Sequence, residues 1–185
     1  ANVEATPPAI ARGHGMSDIE SFCRLDGGNR LVSILSAKAI LEQGIREHRF
    51  QEEGKAMAEG VDKIGEDERQ FVIFRLMDEE YGVPIHAVQE IVRIPEVLTR
   101  MPKTPDFVEG VVNLRGSVLP VVDNRKRLSL PPLERNERQR IMVFAIGGVR
   151  TGFIVDAVTE VIRIKERCIR PAPELSAEQR ELFKE

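Results

Sequence analysis

The chain has few of the residues that most often form catalytic or metal-binding centres. Its 185 residues include three histidines, two cysteines, one tyrosine and no tryptophan. Cys23 and Cys168 form no CxxC pair, and no histidine has a cysteine or carboxylate at metal-ligand spacing. We therefore interpret both cysteines as buried or unreactive thiols. The sequence predicts no metal site, no disulfide framework and no cofactor.

Motifs that bind nucleotides or activate a nucleophile are also missing. There is no Walker-type phosphate loop and no GxSxG turn. Gly13-His14-Gly15 resembles half of a dinucleotide fingerprint, but Asp18 stands where the third glycine would be. Paired carboxylates such as Glu79-Glu80 lie in segments expected to be exposed, where no desolvation would raise a pKa for acid catalysis. The sequence therefore predicts a protein that is not an enzyme.

The charge and hydropathy of the chain argue against a protein that binds nucleic acids and against a membrane protein. Lys and Arg total 27 against 30 Asp and Glu, a formal net charge of −3, which provides none of the basic field that attracts nucleic acids or anionic membranes. No apolar run approaches the roughly 20 residues of a membrane span. The first residues lack the charged and apolar regions of a signal peptide. These features predict a cytoplasmic protein.

The sequence does contain a series of short β-branched runs separated by turn residues. This spacing predicts about eight or nine strands and few helices, which favours small barrels or a sandwich over a doubly wound sheet. Four hairpins are expected, formed by 19–25 with 31–35, 71–76 with 81–85, 111–114 with 118–122, and 141–146 with 149–155. One further strand is expected over 158–164. The third hairpin has Arg115 at its tip, and Gly147-Gly148 form the turn of the fourth.

Several short helical elements are also expected. One apolar helix face is predicted by the near-helical spacing of Ile85, Val88, Ile91 and Val92. Residues 106–109 predict a single helical turn that closes at Gly110. Asp123 is a candidate N-cap for a short basic helix. Further helices are expected after Ser36 and over 176–185.

Seven segments of the chain occur in the order, and with similar separations, of the motifs of a known family. They are 70–74 (QFVIF), 78–85 (DEEYGVPI), 88–91 (VQEI), 104–116 (TPDFVEGVVNLRG), 119–123 (LPVVD), 152–156 (GFIVD) and 169–173 (IRPAP). On these segments the chain resembles the CheW family of chemotaxis coupling proteins, over about residues 70–185.

The resemblance implies a mainly β fold of two small five-stranded SH3-like β-barrels packed together, with a few short helices. It implies no catalytic activity and no cofactor. The implied role is a cytoplasmic adaptor or scaffold in receptor arrays at the inner membrane. Such an adaptor bridges the cytoplasmic tips of chemoreceptors to the regulatory domain of the CheA histidine kinase, and it pairs with other CheW-like domains.

The resemblance also implies where the partners bind. An apolar groove between the barrels would hold the receptor tip, a helical hairpin, through an amphipathic helix face. The receptor-binding residues carried over from the matching motifs are Ile85, Val88, Glu90, Ile91, Arg115 and Val158. Arg115 would either pair with Glu90 or reach the receptor itself. Kinase contacts are expected around Gly110 and at the turn formed by Gly147 and Gly148.

The chain departs from the family pattern in one respect. The family's last hairpin and closing helix are not found after residue 185, whereas 19–41 resemble such an ending. We therefore expect residues 1–45 to be the C-terminal part of a preceding CheW-like domain, 46–69 to be a charged linker, and 70–185 to be a CheW-like domain. Residues 19–45 would complete that domain in cis or by exchange in a swapped homodimer, since the linker spans about 25–30 Å as a coil. The completing hairpin is expected to pair with the strand 158–164.

Two alternatives remain open from the sequence. The chain is also compatible with the regulatory CheW-like domain of a CheA or CheV-type protein, which flanking sequence would reveal. A barrel that binds nucleic acid or oligosaccharide is disfavoured by the acidic balance and by the scarcity of aromatic residues.

Overall fold

The computed structural model describes residues 19–36, 68–146 and 149–171. Within these ranges the chain forms eleven β-strands and one short α-helix. The strands are β1 (Ile19–Leu25), β2 (Arg30–Leu35), β3 (Glu68–Leu76), β4 (Glu79–Pro84), β5 (Val88–Arg93), β6 (Val108–Leu114), β7 (Ser117–Asp123), β8 (Arg140–Ile146), β9 (Val149–Val155), β10 (Ala157–Lys165) and β11 (Ile169–Pro171). The helix, α1, is Asn124–Arg127.

The strands form two sheets. The first has the order β10-β3-β4-β2-β1-β11, and the second has the order β5-β8-β9-β7-β6. Pairing is antiparallel except for β2 with β4 and β7 with β9. An antiparallel bridge between Thr99 and Val111 joins the segment after β5 to β6, with N–O distances of 3.1 and 2.8 Å. The predicted class of two small β-barrels is confirmed, although the first sheet has six strands rather than five.

The two sheets repeat one topology. In the first sheet β1–β2, β3–β4 and β10 occupy the places that β6–β7, β8–β9 and β5 occupy in the second. The sequence carries the same repeat, because 81–94 (YGVPIHAVQEIVRI) and 151–164 (TGFIVDAVTEVIRI) align without a gap. This repeat was not among the sequence predictions. β5, at the edge of the second sheet, follows β3–β4 of the first sheet along the chain. β10, at the edge of the first sheet, follows β8–β9 of the second.

Apolar residues form three core clusters. One lies within the first sheet and contains Cys23, Val32, Ile34, Phe71, Ile73 and Ile164. A second lies within the other sheet and contains Leu119, Val121, Ile141, Val143 and Ile154. The third, which we call the shared core, draws on both sheets and includes Val72, Phe74, Tyr81, Met142, Phe144 and Phe153. Burial of this apolar area holds the two sheets together.

The predicted helix over 85–92 is wrong. The segment forms a 3-10 turn followed by β5, which pairs antiparallel with β8. A register shift between Val88 and Glu90 inserts one extra residue into β5. Val88 and Ile91 therefore both lie opposite shared-core residues of β8. A β-bulge thus places two residues three positions apart on one face, which is the spacing that resembled a helix.

The predicted helical turn over 106–109 is also wrong. The N–H of Val108 donates to the carbonyl of Pro105 over 2.9 Å, and β6 begins at Val108. Gly110 lies inside this strand with a φ of 144°, where a Cβ atom would be 2.3 Å from the carbonyl oxygen of Thr99. The glycine permits this close approach of two backbones and does not end a helix.

Most of the remaining local predictions are confirmed. The four hairpins are present as β1 with β2, β3 with β4, β6 with β7, and β8 with β9. Asp123 caps α1, since its Oδ1 accepts from the N–H of Arg125 at 2.8 Å. The Gly147-Gly148 turn and the predicted helices after Ser36 and over 176–185 lie outside the described residues.

The β1–β2 hairpin lies inside the first sheet, between β4 and β11. β2 pairs in parallel with β4, and β1 pairs antiparallel with β11. Strand β10, the neighbour expected from the sequence, pairs with β3 instead. The prediction that the hairpin pairs directly with 158–164 is therefore wrong, because β3 already occupies that edge.

Candidate functional site

An apolar surface lies where the shared core approaches solvent. Ile85, Val88 and Val158 are partly buried and pack against the shared core. Ile91 is on the same face of β5 as Val88 and is 39% exposed. Three of the six predicted receptor-binding residues thus pack against one core, with Val88 from β5 and Val158 from β10, and Ile91 shares a strand face with Val88.

The internal repeat adds a residue that the sequence predictions missed. β10 has a register shift at the place corresponding to that of β5. Val161 therefore lies opposite Val72 of the shared core and is 52% exposed. Ile91 lies opposite a shared-core residue of β8 in the same way. The signal was available, because the motif VQEI recurs as VTEV at 158–161. We define the seam surface as Ile85, Val88, Ile91, Val158 and Val161.

Glu90, which lies between Val88 and Ile91 in the chain, is close to two arginines. Nη2 of Arg150 donates to Oε1 of Glu90 at 2.9 Å, and Nε of Arg150 donates to the side chain of Gln89 at 2.7 Å. Nη2 of Arg115 is 3.3 Å from Oε2 of Glu90, but this oxygen has no hydrogen-bond partner among the described residues. The Glu90 side chain is 16% exposed and that of Arg115 is 81% exposed. Arg150 therefore positions the carboxylate.

Arg115 is presented by a defined turn. Arg115 and Gly116 have φ values of 52° and 84°, as in the type I′ turns that match the twist of paired strands. The N–H of Gly116 also donates to Oδ1 of Asn113 at 2.9 Å. These features fix the backbone beneath the Arg115 side chain. Arg150 was missed by sequence reasoning because it belongs to no recognisable motif.

An ion pair with little exposure connects the two sheets beside the shared core. Nε and Nη2 of Arg125 in α1 donate to the two carboxylate oxygens of Asp156 at 2.7 and 2.5 Å. Oδ2 of Asp156 also accepts from the N–H of Met77, in the β3–β4 turn, at 2.7 Å. Hydrogen bonding to Asp156 raises the pKa of Arg125, although burial acts in the opposite direction. Asp156 thus joins a turn of the first sheet to the helix that follows β7 of the second.

The residues predicted to contact the kinase do not form a described cluster. Gly110 is buried in β6, and Gly147 and Gly148 lie outside the described residues. Val97 and Val118 are exposed by 78% and 72% and were not singled out by the sequence. Val118 lies next to the turn that carries Arg115. Exposed apolar side chains beside a hairpin end are candidates for a protein contact.

A separate cleft of about 610 Å³ borders the second sheet. Its lining mixes both charges and includes Arg93, Glu96, Arg100, Arg135 and Glu137. No predicted receptor- or kinase-binding residue lines it. Among the residues that the structure describes, no group of three or more His, Cys, Asp or Glu side chains could hold a metal ion. Nor does any helix in the described ranges have the length and apolarity to cross a membrane.

Comparison with known proteins identifies relatives with the same sequence pattern. Residues 70–185 match the family model described as a CheW-like domain. The chemotaxis protein CheW of Helicobacter pylori is 38% identical over 133 residues, which cover 72% of this chain and 80% of that protein. The chemotaxis protein CheW of Klebsiella aerogenes is 40% identical over 108 residues, which cover 58% and 64%, respectively.

A solved structure has a related fold. The crystal structure of the scaffolding protein TtCheW from Thermoanaerobacter tengcongensis matches with a TM-score of 0.54 and 39% sequence identity. The match covers 59% of this chain and 74% of that chain. The region that matches the family model includes every residue of the seam surface, whereas β1 and β2 precede it.

Proposed function

Because the chain belongs to the CheW-like domain family, we propose that it is a chemotaxis adaptor without catalytic activity that couples chemoreceptors to a CheA-type histidine kinase. In this role it is cytoplasmic and is held in receptor arrays at the inner membrane. It contacts the receptor tip, the regulatory domain of the kinase and other CheW-like domains. The observation that supports the receptor contact is the seam surface.

The seam surface is suited to an α-helical partner. Its residues are aliphatic and belong to the 3-10 turn after β4 and to the bulged strands β5 and β10. Ile85, Val88 and Val158 pack against the shared core. A helix with an apolar stripe would cover them, which is the helix-in-groove mode of recognition. Ile91 and Val161 are 39% and 52% exposed, so they have the most apolar area to bury on binding. Burying one such side chain contributes about 1.5 kcal/mol or more.

Arg115 contacts the receptor in this proposal. Its ion pair with Glu90 is long and solvent-exposed on the arginine side, and such pairs contribute little to stability. Arg150 already satisfies Oε1 of Glu90 through a hydrogen bond. Arg115 is therefore available for a carboxylate of the receptor, while Glu90 keeps the guanidinium close to the seam surface.

The kinase contact uses the hairpin ends of the second sheet. Val118 offers exposed apolar area beside the β6–β7 turn, and Val97 precedes the bridge that joins Thr99 to β6. Gly147 and Gly148, which connect β8 to β9 in the sequence, lie outside the described residues and stay a predicted kinase contact. Because Gly110 is buried, its role is to keep β6 against Thr99 rather than to touch the kinase.

Co-sedimentation with receptor-containing membranes, in the presence and absence of the kinase, tests the proposal. Val88→Ser and Arg115→Ala should each lower the sedimented fraction severalfold. Leu133→Ser and Arg138→Ala are matched controls on an exposed loop and should sediment like the wild type. Thermal melting of each variant separates lost binding from lost folding.

Two results would contradict different parts of the proposal. If folded Val88→Ser and Arg115→Ala proteins sediment like their controls, the receptor-binding residues are wrongly assigned. If the wild type sediments neither with receptors alone nor with receptors and kinase together, the adaptor role is wrong.

A further inference from the structure

The cleft of about 610 Å³ beside the second sheet lies between two ordered segments of the chain. One is the segment 93–100, which the bridge from Thr99 ties to β6. The other is the loop 135–140, in which the buried side chain of Gln139 accepts a hydrogen bond from the N–H of Asn136 at 3.2 Å. The volume is that of a ligand site, and walls already held in place need little ordering when a ligand binds.

Part of the cleft lining is apolar. Ile94 and Leu98 are partly buried and pack against the core cluster of the second sheet. Pro95 lies between them in the chain and also lines the cleft. The area that these side chains still expose would be covered by one or two aliphatic side chains of a ligand.

Three arginines of the lining have no acidic partner in the part of the chain that the structure describes. They are Arg93, Arg100 and Arg140, and no described carboxylate forms an ion pair with any of them. Arg93 and Arg140 also lie directly opposite each other in the register of β5 and β8. Like charges in this arrangement destabilise a sheet. An anionic ligand would remove that repulsion.

The guanidinium of Arg140 is held in place by the loop. Its Nη1 donates to the carbonyls of Glu137 and Gln139 at 2.6 and 2.8 Å. A ligand carboxylate would therefore meet a group that is already oriented. The fourth lining arginine, Arg135, is engaged differently, because it pairs at 3.2 Å with Glu109, which also pairs with a lysine of α1.

Two carboxylates of the lining restrict the kind of anion that fits. Glu96 and Glu137 are exposed and form no ion pair with a described residue. They would repel a compact dianion such as a phosphate group. A peptide avoids this repulsion, because it places single carboxylates beside single arginines and an aliphatic side chain between them.

We propose that this cleft binds an acidic peptide segment of a partner protein, in which Asp or Glu side chains alternate with aliphatic ones. Arg93, Arg100 and Arg140 pair with the carboxylates, since a guanidinium binds a carboxylate through two parallel hydrogen bonds. Ile94 and Leu98 receive the aliphatic side chains. This inference does not rest on the proposed function, because no residue of the seam surface lines the cleft.

The internal repeat supplies a matched control. The alignment of 81–94 with 151–164 continues without a gap, so that 93–100 (RIPEVLTR) corresponds to 163–170 (RIKERCIR) and Arg93 corresponds to Arg163. Both arginines are exposed on an edge strand. Arg163 faces Gln70 across the strand pair, where Arg93 faces Arg140. Replacing Arg163 thus removes the same charge from the same place in the fold without changing the cleft.

Fluorescence anisotropy with short labelled peptides tests the proposal on the full chain alone. The probe peptide alternates glutamate with leucine, and comparison peptides carry glutamine or phosphoserine in place of glutamate. The glutamate peptide should bind saturably and about tenfold more tightly than either comparison peptide. Its affinity should fall as salt is added. Arg93→Gln and Arg100→Gln should each weaken binding by about tenfold, whereas Arg163→Gln should not change it.

Thermal melting separates a binding role of Arg93 from a structural one. Arg93→Gln should melt at the same temperature as the wild type or higher, because the change removes repulsion from Arg140. Amide chemical shifts should respond to the glutamate peptide at 93–100 and 135–140 and stay unchanged around Arg115. A lower melting temperature, or shifts confined to the surroundings of Arg115, would contradict the assignment.

Four binding results would overturn the proposal. The glutamate peptide does not bind, or the glutamine peptide binds equally well, so that charge plays no part. Arg163→Gln weakens binding as much as Arg93→Gln, which would indicate unspecific attraction to any arginine. The phosphoserine peptide binds more tightly, so that the ligand is a phosphopeptide instead. Neither receptor nor kinase is present in these measurements, so their outcome is independent of whether the adaptor role is correct.

Discussion

Arg125 and Asp156 form a two-point ion pair in which each side chain is only 11% or 12% exposed. Because Asp156 also accepts a hydrogen bond from the N–H of Met77, the pair links α1 to the β3–β4 turn. This polar contact between elements of the two sheets adds to the apolar packing of the shared core. The relationship could not be read from the sequence, since Arg125 and Asp156 are 31 positions apart.

Removal of one charge from this pair is predicted to destabilise the fold. Asp156→Asn leaves the Arg125 guanidinium without its counter-charge in a site with little access to water, so the free energy of unfolding should fall by about 3 kcal/mol. Denaturant titration measures the change. Replacing both residues, Arg125→Met with Asp156→Leu, should cost less than the single change. A loss below about 1 kcal/mol for Asp156→Asn would show that the pair contributes little.

The internal repeat predicts that Ile91 and Val161 contribute equally to receptor binding. Both lie on the seam surface and both are exposed, so Ile91→Ser and Val161→Ser should each weaken receptor affinity by about tenfold while leaving thermal stability nearly unchanged. Receptor titration by co-sedimentation measures the affinity, with Leu133→Ser as the control. A loss confined to Ile91→Ser would mean that only the second sheet binds the receptor.

Replacing Gly110 with alanine is predicted to destabilise the fold. In Gly110→Ala the new Cβ would lie 2.3 Å from the carbonyl oxygen of Thr99, at a φ that side chains rarely adopt, so the free energy of unfolding should fall by about 2 kcal/mol or more. Gly116→Ala is the matched control, because its φ is positive but no atom lies within 4 Å of the added carbon. Its loss should be nearer 1 kcal/mol. Equal losses would show that the contact with Thr99 is not the cause.

The single tyrosine predicts a pH dependence of stability. Burial, followed by the hydrogen bond that its hydroxyl donates to Glu79 at 2.5 Å, raises the pKa of Tyr81. In the unfolded chain the pKa of tyrosine is about 10, so the unfolded state loses the proton first as pH rises. The contribution to the free energy of unfolding is thus complete below about pH 10 and is lost as pH rises towards the folded pKa.

Tyrosinate absorbance measures this directly, because the chain has no second tyrosine. The absorbance should rise together with the loss of β-sheet circular dichroism, and Tyr81→Phe should remove this part of the alkaline destabilisation. Titration of Tyr81 near pH 10 in a protein that keeps its circular dichroism would contradict the prediction.

Local sequence signals predicted the hairpins well and the segments around bulges poorly. Arg115-Gly116 and the Asp123 cap are set by turn and capping chemistry within a few residues, and both are present as expected. The 85–92 segment was misassigned because a bulged strand and a helix can both place residues i and i+3 on one face. Only the pairing with β8 distinguishes the two.

The sequence predicted only part of the candidate site. Motif resemblance supplied Val88, Ile91 and Val158. Val161 was missed although the repeat of VQEI as VTEV signals it, and the register of β10 against β3 places it opposite Val72. Likewise, the sequence left open whether Arg115 pairs with Glu90. The position of Arg150, 60 residues away, shows what holds the carboxylate.

The sequence by itself determined the mainly β character, the turns and the family, because these depend on residue type and on spacing along the chain. The tertiary structure decided which strands share a sheet, where the β1–β2 hairpin lies, and which aliphatic residues meet at the shared core. These depend on contacts between distant segments, where burial and hydrogen-bond register select among pairings that are locally equivalent.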